Sequence, residues 1–228
     1  MGAALSDWVG RGYRNLPAGE PSVVNLQSWR FWAGGPGKHT FVCGVVKDSS
    51  DSIGRPYPLL LLGMGPLKNW EIHWHRSPYV CEKTWSQMES ISTRMFRGLG
   101  ELEDEVRRVK PPESDWIGTD RIQEEFSLLK DSKQQTGSID VDAIAKRAAG
   151  ISSEAEIFIP MDEYHFQQHE TAIHVWLECL KQSSQDPPKT VFMGGNQYRT
   201  FLALFWRPLS ANDFVRIWSA CDNENRSS

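Results

Sequence analysis

SSDSIGRPYPLLLL, residues 49–62, is the stretch of the chain from which the fold is worked out. Pro56 and Pro58 exclude a helix here, because each lacks a backbone N–H and restricts the preceding residue to extended geometry. The four leucines after them are too few to span a bilayer, so they predict a β-strand that is buried on both faces. We expect this strand at or near the middle of a sheet, with Gly54 and Arg55 in the turn before it.

The preceding residues predict two more strands. Trp29–Trp32 is an aromatic run, and Thr40–Val46 is rich in β-branched residues, which favour strands. With Ile53–Leu62 they predict an antiparallel meander, because the connections between them are short. The connection Ala33–Thr40 is rich in glycine and is superficially similar to a phosphate-binding loop. It lacks the Ser or Thr that must follow Lys38, so we interpret it as a hairpin turn.

The rest of the chain alternates predicted helices with predicted strands. Apolar residues in steps of three or four from Cys81 to Val109 predict one long amphipathic helix. Ser210 and Asp213 predict the start of a last helix, because together they form an N-cap with an acid in the first turn. The other predicted elements are helices at 120–130, 140–149 and 167–182, and strands at 156–160, 190–193 and 200–206. Together these elements predict an α/β fold with a mixed, largely antiparallel central sheet and helices on both faces.

The chain divides into three parts. Pro17 and Pro21 break any regular element near the start, so residues 1–28 are predicted to be irregular. Residues 29–221 contain no long linker and no internal repeat, and they predict a single domain. The polar residues 222–228 predict a flexible tail.

Composition and charge exclude several classes of protein. A net charge of −4 and a pI near 5.9 provide no basic surface of the kind that binds nucleic acid. Because no apolar run reaches the length of a membrane span and no secretory signal is recognisable, we expect a cytoplasmic protein without membrane insertion. The four cysteines have no short spacing, which favours buried, reduced thiols over a disulfide framework.

Three histidines, His165, His169 and His174, are candidates for a metal site. Residues four apart on a helix share a face, so two imidazoles there can bind one metal ion. The sequence differs from the HExxH motif because no glutamate follows His165, and we favour a solvated helix face with incidental histidines. His73 and His75 share a face only if they lie on a strand, and they need further ligands. We therefore expect no catalytic role and no cofactor, with a metal-dependent enzyme as the alternative.

The order of several motifs points to a known family. Trp29-Arg30-Phe31 is followed by a glycine-rich turn, a strand and a D-x-[VI]-G-R-x-[FY]-P pattern, which residues 51–58 match. In this order the segment 29–62 resembles the TagF (ImpM) family of proteins associated with bacterial type VI secretion. Residues 5–12 are similar to the G-D-F-V-x-R pattern of that family, with two substitutions.

The resemblance implies a three-layer α/β sandwich without a catalytic role. It also implies a cytosolic accessory protein of the type VI secretion apparatus, which acts after translation together with a forkhead-associated scaffold protein. The candidate protein-binding residues are those of the motifs: Trp29, Arg30, Phe31, Gly54, Arg55, Tyr57 and Pro58. Turn geometry and packing require such residues as well, so a structural interpretation of them stays open. A purely structural component of the apparatus is a further alternative.

Overall fold

The structure, a computed structural model, describes residues 2–16, 26–50, 56–113, 116, 139–151, 154–183 and 186–221. The strands are β1 Ser28–Gly34, β2 Thr40–Ser50, β3 Pro56–Pro66, β4 Glu156–Pro160, β5 Thr190–Gly195 and β6 Thr200–Phe205. The helices are α1 Gly2–Arg14, α2 Trp70–His73, α3 Ser77–Ser92, α4 Leu99–Arg107, α5 Val141–Ile151, α6 His169–Ser183 and α7 Ala211–Ser219. Short 3₁₀ turns precede α3, at Trp74–Arg76, and α6, at Phe166–Gln168.

All six strands form one sheet in the order β3-β2-β1-β5-β6-β4. Each of the five pairings between these strands is antiparallel. The predicted α/β sandwich with helices on both faces is confirmed, and the pairings within the described part of the chain are antiparallel throughout. None of the helices in the described ranges combines the length and the apolar character that crossing a bilayer requires.

Alternation along β1 separates the two apolar layers, because successive side chains of a strand point to opposite faces. Trp29 and Phe31 lie in the layer covered by α1 and α7, together with Trp8 and Phe214. Trp32 lies in the other layer, which contains the side chains of α2, α3, α5 and α6. The glycine-rich connection between β1 and β2 is the predicted hairpin turn, with the Gly35 N–H donating to the Thr40 carbonyl at 2.8 Å. The four cysteines are buried free thiols, as predicted.

The prediction that the leucine strand lies in the middle of the sheet is wrong. β3 is an edge strand, and of its residues only Leu61 is fully buried. The physical reason is that Pro56, Pro58 and Pro66 have no N–H, so a second neighbouring strand would find three donors missing. The backbone groups of the even-numbered β3 residues, which include these three prolines, point away from β2. This follows because the Leu67 N–H donates to the His39 carbonyl at 2.9 Å, and backbone direction alternates along an antiparallel pair.

The prediction that residues 1–28 are irregular is also wrong, because Gly2–Arg14 forms α1. Leu5, Trp8, Val9 and Gly12 recur at helical spacing and are buried against the sheet and α7. The Trp8 indole N–H donates to the Ser210 carbonyl at 2.6 Å, which attaches α1 to the start of α7. Residues 17–25 lie outside the described residues.

Two predicted helices also need correction. The long helix predicted from Cys81 to Val109 is divided into α3 and α4. Gly98, a weak helix former, takes an extended conformation immediately before α4, which packs back against α3. The helix predicted at 120–130 and the tail 222–228 lie outside the described residues. By contrast, the predicted start of the last helix is observed, with the Asp213 carboxylate accepting the Ser210 N–H at 2.6 Å.

Candidate functional site

The motif residues of the sequence analysis do not form one surface. Trp29 and Phe31 are fully buried in the layer beneath α1 and α7, so packing explains them. Gly54 and Arg55 lie outside the described residues. Tyr57 and Pro58 are at the start of β3, where Tyr57 is 40% exposed and Pro58 is half-buried.

Arg30 faces α3, and two carboxylates hold its guanidinium. Its Nε and Nη2 atoms donate to Glu89 at 2.7 and 2.8 Å, and its Nη1 atom donates to Glu82 at 2.7 Å. The same group lies over the Trp85 ring, 5.7 Å from the centroid. The hydrogen bond to Glu89 and the charges of both glutamates raise the pKa of Arg30, although burial opposes this. Arg30 therefore links α3 to β1, one of the two middle strands of the sheet, and this contact is structural.

A row of exposed apolar side chains crosses the end of the sheet at which β2 leads into β3. The β2–β3 register places Tyr57 opposite Ser49, and continuing the β1–β2 register places Ser49 opposite Leu26. The β1–β5 register continues the row into the β5–β6 turn, which carries Tyr198. Leu26, Tyr57 and Tyr198 are 58%, 40% and 65% exposed, and we call them the hairpin-end surface. Three strand spacings give the row a width of about 14 Å.

A buried polar network supports this surface from below. The Asp48 carboxylate accepts the Gln27 N–H at 2.8 Å and the Trp218 indole N–H at 3.2 Å. The Gln27 amide donates to the Trp218 carbonyl at 3.1 Å and accepts the Trp29 indole N–H at 3.3 Å. Burial, reinforced by the charge of Asp48, raises the pKa of the nearby Tyr13. The network joins β1, β2 and α7, so the row above it lies on a rigid base.

The β5–β6 turn holds Tyr198 outward. The Asn196 side-chain oxygen accepts the N–H groups of Tyr198 and Arg199, both at 2.9 Å. Gly194 and Gly195 have φ values of 152° and 154°, which residues with a side chain rarely adopt. An added Cβ would lie 2.2 Å from the Ser28 carbonyl oxygen at the first glycine and 2.0 Å from the Arg199 carbonyl oxygen at the second. The predicted strands 190–193 and 200–206 are thus joined by a tight turn, which starts at Asn196 because β5 continues through Gly195.

The sequence analysis missed most of the hairpin-end surface. Leu26 and Tyr198 have no motif around them, and Gln27 and Trp218 meet although 191 residues separate them. Only Tyr57 was singled out, through the family motif.

The histidines of the metal hypothesis are held in separate surroundings. His165 is exposed, and the Nε2 atom of His169 lies 3.0 Å from the Tyr164 carbonyl oxygen. His174 is buried and stacks on Tyr79, with 3.7 Å between ring centroids. Within the ranges that the structure describes, no group of three or more His, Cys, Asp or Glu side chains is arranged to hold a metal ion.

The second histidine pair lies on helical turns, whereas sharing a face required a strand. His73 ends α2 and stacks on Trp116, with centroids 5.1 Å apart. His75 belongs to the 3₁₀ turn and is buried, with its Nε2 atom 3.5 Å from Glu178 Oε1. Burial lowers the pKa of His75 to about 3 and raises that of Glu178.

A cavity of about 610 Å³ lies between α5 and the start of α6. Two charged side chains on its wall pair with each other, since Arg147 contacts Glu163 at 2.6 Å and also lies over the Trp176 ring. Ile139 on its wall adjoins residues 117–138, which are outside the described residues. We assign no ligand to this cavity.

No protein-family model and no curated protein matches the chain. Among solved structures, the chain matches the crystal structure of PA0076 from Pseudomonas aeruginosa PAO1, with 18% sequence identity and a TM-score of 0.48. The match covers 93% of this chain and 81% of that one. At this level of similarity it supports no statement about activity or partners.

Proposed function

We propose that this chain is a non-catalytic, cytoplasmic accessory protein of a bacterial type VI secretion system. In this proposal it acts after translation by binding apparatus proteins or a forkhead-associated scaffold protein. The resemblance of residues 29–62 to the TagF family supports the proposal. The α/β sandwich with helices on both faces agrees with the fold that the resemblance implies.

The hairpin-end surface carries the proposal for where the partner binds. Tyr57 belongs to the family motif and is exposed in the same row as Leu26, two strands away, and Tyr198 extends this row. Tyrosine is enriched in protein interfaces, because it offers a large contact area and a hydroxyl while few torsions become fixed. The network of Asp48 and Gln27 holds these side chains on a rigid base, which lowers the entropic cost of binding.

The test is capture of partners from the native bacterium, followed by affinity measurements. The tagged chain is used for a pull-down with mass spectrometry, and binding to the purified scaffold protein is then measured for wild type, Tyr57→Ala and Tyr198→Ala. Truncating a central interface tyrosine is expected to raise the dissociation constant about tenfold or more. Ile72→Ala is the matched control, since Ile72 is 60% exposed on α2 at the opposite end of the sheet.

Arg55→Glu is measured in the same series, because Arg55 is the basic residue of the motif that residues 51–58 match. It is expected to weaken scaffold binding and to leave the melting temperature nearly unchanged. The hairpin-end surface would be excluded as the binding site if the scaffold protein bound all three variants, Arg55→Glu, Tyr57→Ala and Tyr198→Ala, with wild-type affinity.

The two alternatives have distinct readouts. A metal-dependent enzyme using His165, His169 and His174 predicts stoichiometric metal by elemental analysis of the purified protein. A structural component predicts stable co-assembly with sheath or baseplate proteins in the pull-down, in place of a signalling scaffold.

A further inference from the structure

Two glycines of β3, Gly63 and Gly65, are required neither by the backbone conformation nor by close packing. Both lie on the face of the sheet that α3 covers, since Leu61 of the same face belongs to that apolar layer. Neither glycine has a positive φ. A Cβ added at Gly65 would find no atom of the described residues within 4 Å, and one at Gly63 would meet the Met88 Cε atom at 3.7 Å, an ordinary contact. What these glycines provide is therefore open space beside the sheet.

This space belongs to a cavity of about 200 Å³ that lies between the sheet and the pair of helices α3 and α4. Its wall consists of glycine backbone and side chains from β2, β3, α3 and α4, among them Phe41, Gly63, Gly65, Met88 and Val106. The β2–β3 register places Phe41 opposite Gly65, so the absent side chain leaves the Phe41 ring beside the cavity. Glycine inside a strand weakens the strand, and it often marks a place where a ligand comes close to the backbone.

The cavity offers a ligand apolar surface and few hydrogen-bonding groups. Among the wall residues that the structure describes, none has a charged side chain. The Thr84 hydroxyl on the wall already donates to the Lys110 carbonyl at 2.8 Å, and the Cys43 thiol is hydrogen-bonded to that of Cys81. The odd-numbered residues of β3 direct their backbone groups toward β2. A charged or strongly polar ligand would thus lose its hydration here without regaining hydrogen bonds, so the cavity selects an uncharged, apolar molecule.

The volume and the wall residues point to a ligand of about one aromatic ring. Apolar cavities of about 150 Å³ stay dry and bind benzene, so this one has room for a ring with a small alkyl group. The Phe41 ring favours edge or offset contacts with a second ring. The thioether of Met88 is also attracted to aromatic rings, and its unbranched side chain can adapt to the shape of the ligand.

A molecule in this cavity would also contact α4. None of the residues Leu99–Arg107 of that helix is fully buried, and Val106 lines the cavity. Helices with few buried contacts open locally at low cost in free energy, and added contacts raise that cost. A bound ligand is therefore expected to hold α4 against the sheet.

We propose that the cavity between β3, α3 and α4 binds a small, uncharged aromatic molecule of about the size of toluene. The bound molecule fills the space that Gly63 and Gly65 leave and stabilises the packing of α4 on β3 and α3. The proposal does not depend on the proposed function, because the residues of the hairpin-end surface do not line this cavity.

The first experiment follows the isotope-labelled methyl groups of the methionines by NMR, with toluene as the probe. Met64 and Met88 line the cavity, whereas Met95 is fully exposed between α3 and α4 and is the internal control. The ring current of bound toluene is expected to shift the signals of Met64 and Met88 and to leave that of Met95 unchanged. Benzoate is the control ligand, because a carboxylate replaces the methyl group of toluene. It is expected to shift none of these signals.

The second experiment measures the toluene dissociation constant of variants from the same signals. Gly65→Leu places a side chain in the cavity, so the constant is expected to rise roughly tenfold or more. Gly10→Leu on α1 is the matched control, since an added Cβ there also meets no described atom within 4 Å, and its constant is expected to equal that of wild type. Thermal unfolding verifies that each variant folds. Gly65→Ala, a smaller change, replaces Gly65→Leu if the latter does not fold, and a rise of a few-fold is then expected.

Hydrogen exchange measures the effect of the ligand on α4. Toluene is expected to slow the exchange of the α4 amides in wild type and in Gly10→Leu, and to have no effect in Gly65→Leu. If exchange did not slow in a wild-type chain that binds toluene, the contact between the ligand and α4 would be overturned.

Three results would overturn the binding site. The first is that toluene leaves the signals of Met64 and Met88 unchanged, as expected if the cavity is a void or accepts an apolar side chain of a partner protein. The second is an equal response of Met95, or an equal effect of benzoate, because either would indicate unspecific binding. The third is wild-type affinity for toluene in Gly65→Leu.

Discussion

Two buried histidines make the stability of this protein sensitive to mild acid. His75 and His174 are 7% and 8% exposed, and among the residues that the structure describes neither Nδ1 atom finds a hydrogen-bond partner. Burial lowers the pKa of both side chains to about 3, from an ordinary value of 6.5. For His75 the positive charges of Arg76, Lys181 and His73 add to the effect.

The size and sign of the effect follow from proton linkage. A group whose pKa is lower in the folded state binds its proton preferentially in the unfolded state, so the free energy of unfolding falls as the pH drops below 6.5. At about pH 5 each histidine is mostly protonated in the unfolded chain and neutral in the fold, which costs about 2 kcal/mol per histidine. The two together lower stability by about 4 kcal/mol. The raised pKa of Glu178 opposes this, because that carboxyl binds its proton preferentially in the fold.

Urea unfolding at about pH 7.5 and about pH 5, monitored by tryptophan fluorescence, measures this loss. His174→Phe removes one titrating ring and keeps an aromatic partner for Tyr79. The loss on acidification is expected to shrink by about 2 kcal/mol in this variant. His165→Gln removes an exposed histidine and is the control, with the pH dependence of wild type expected. If His174→Phe lost as much stability as wild type, the buried neutral imidazole would not be the cause.

Two further substitutions test the packing of the helices on the sheet. Arg30→Met is expected to lower the free energy of unfolding by about 1–3 kcal/mol in urea unfolding, because it breaks a partly buried bidentate ion pair and leaves two carboxylates close together. The exposed pair of Arg11 with Asp7 gives the control, since Arg11→Met should change stability by about 0.5 kcal/mol or less. Gly12→Ala is expected to cost about 1–3 kcal/mol, because its Cβ would lie 2.3 Å from the Phe214 Cβ. Gly10→Ala, on the same helix with no atom within 4 Å, should be neutral or stabilising by up to about 1 kcal/mol, and a loss there equal to that of Gly12→Ala would contradict the packing argument.

Features that depend on a few neighbouring residues could be predicted from the sequence. The hairpin turn within Ala33–Thr40, the start of the last helix at Ser210 and the strands at 156–160 and 190–193 are all observed. The proline spacing in β3 also predicts the position of this strand in the sheet. Because proline is tolerated where the N–H side of a strand faces solvent, Pro56 and Pro58 indicate an edge strand more strongly than four leucines indicate a central one.

The candidate site depends on contacts between residues that are far apart in the sequence, and local sequence patterns do not predict such contacts. Tyr57 was identified through a motif, whereas Leu26 and Tyr198 join it only because the sheet places β3, β1 and β5 in one row. The network beneath them pairs Gln27 with Trp218 across 191 residues. No local pattern predicts such a pairing, since its benefit arises only after both groups leave water together.

The amino-acid sequence by itself determined the fold class, the type of most described elements and the places where the chain turns. These properties follow from backbone restrictions and side-chain periodicity over a few residues. Only the tertiary structure decided the order of the strands, the position of β3 at the edge and the assembly of the hairpin-end surface. Those depend on which apolar faces and polar groups are buried against each other, and that is settled by the whole chain at once.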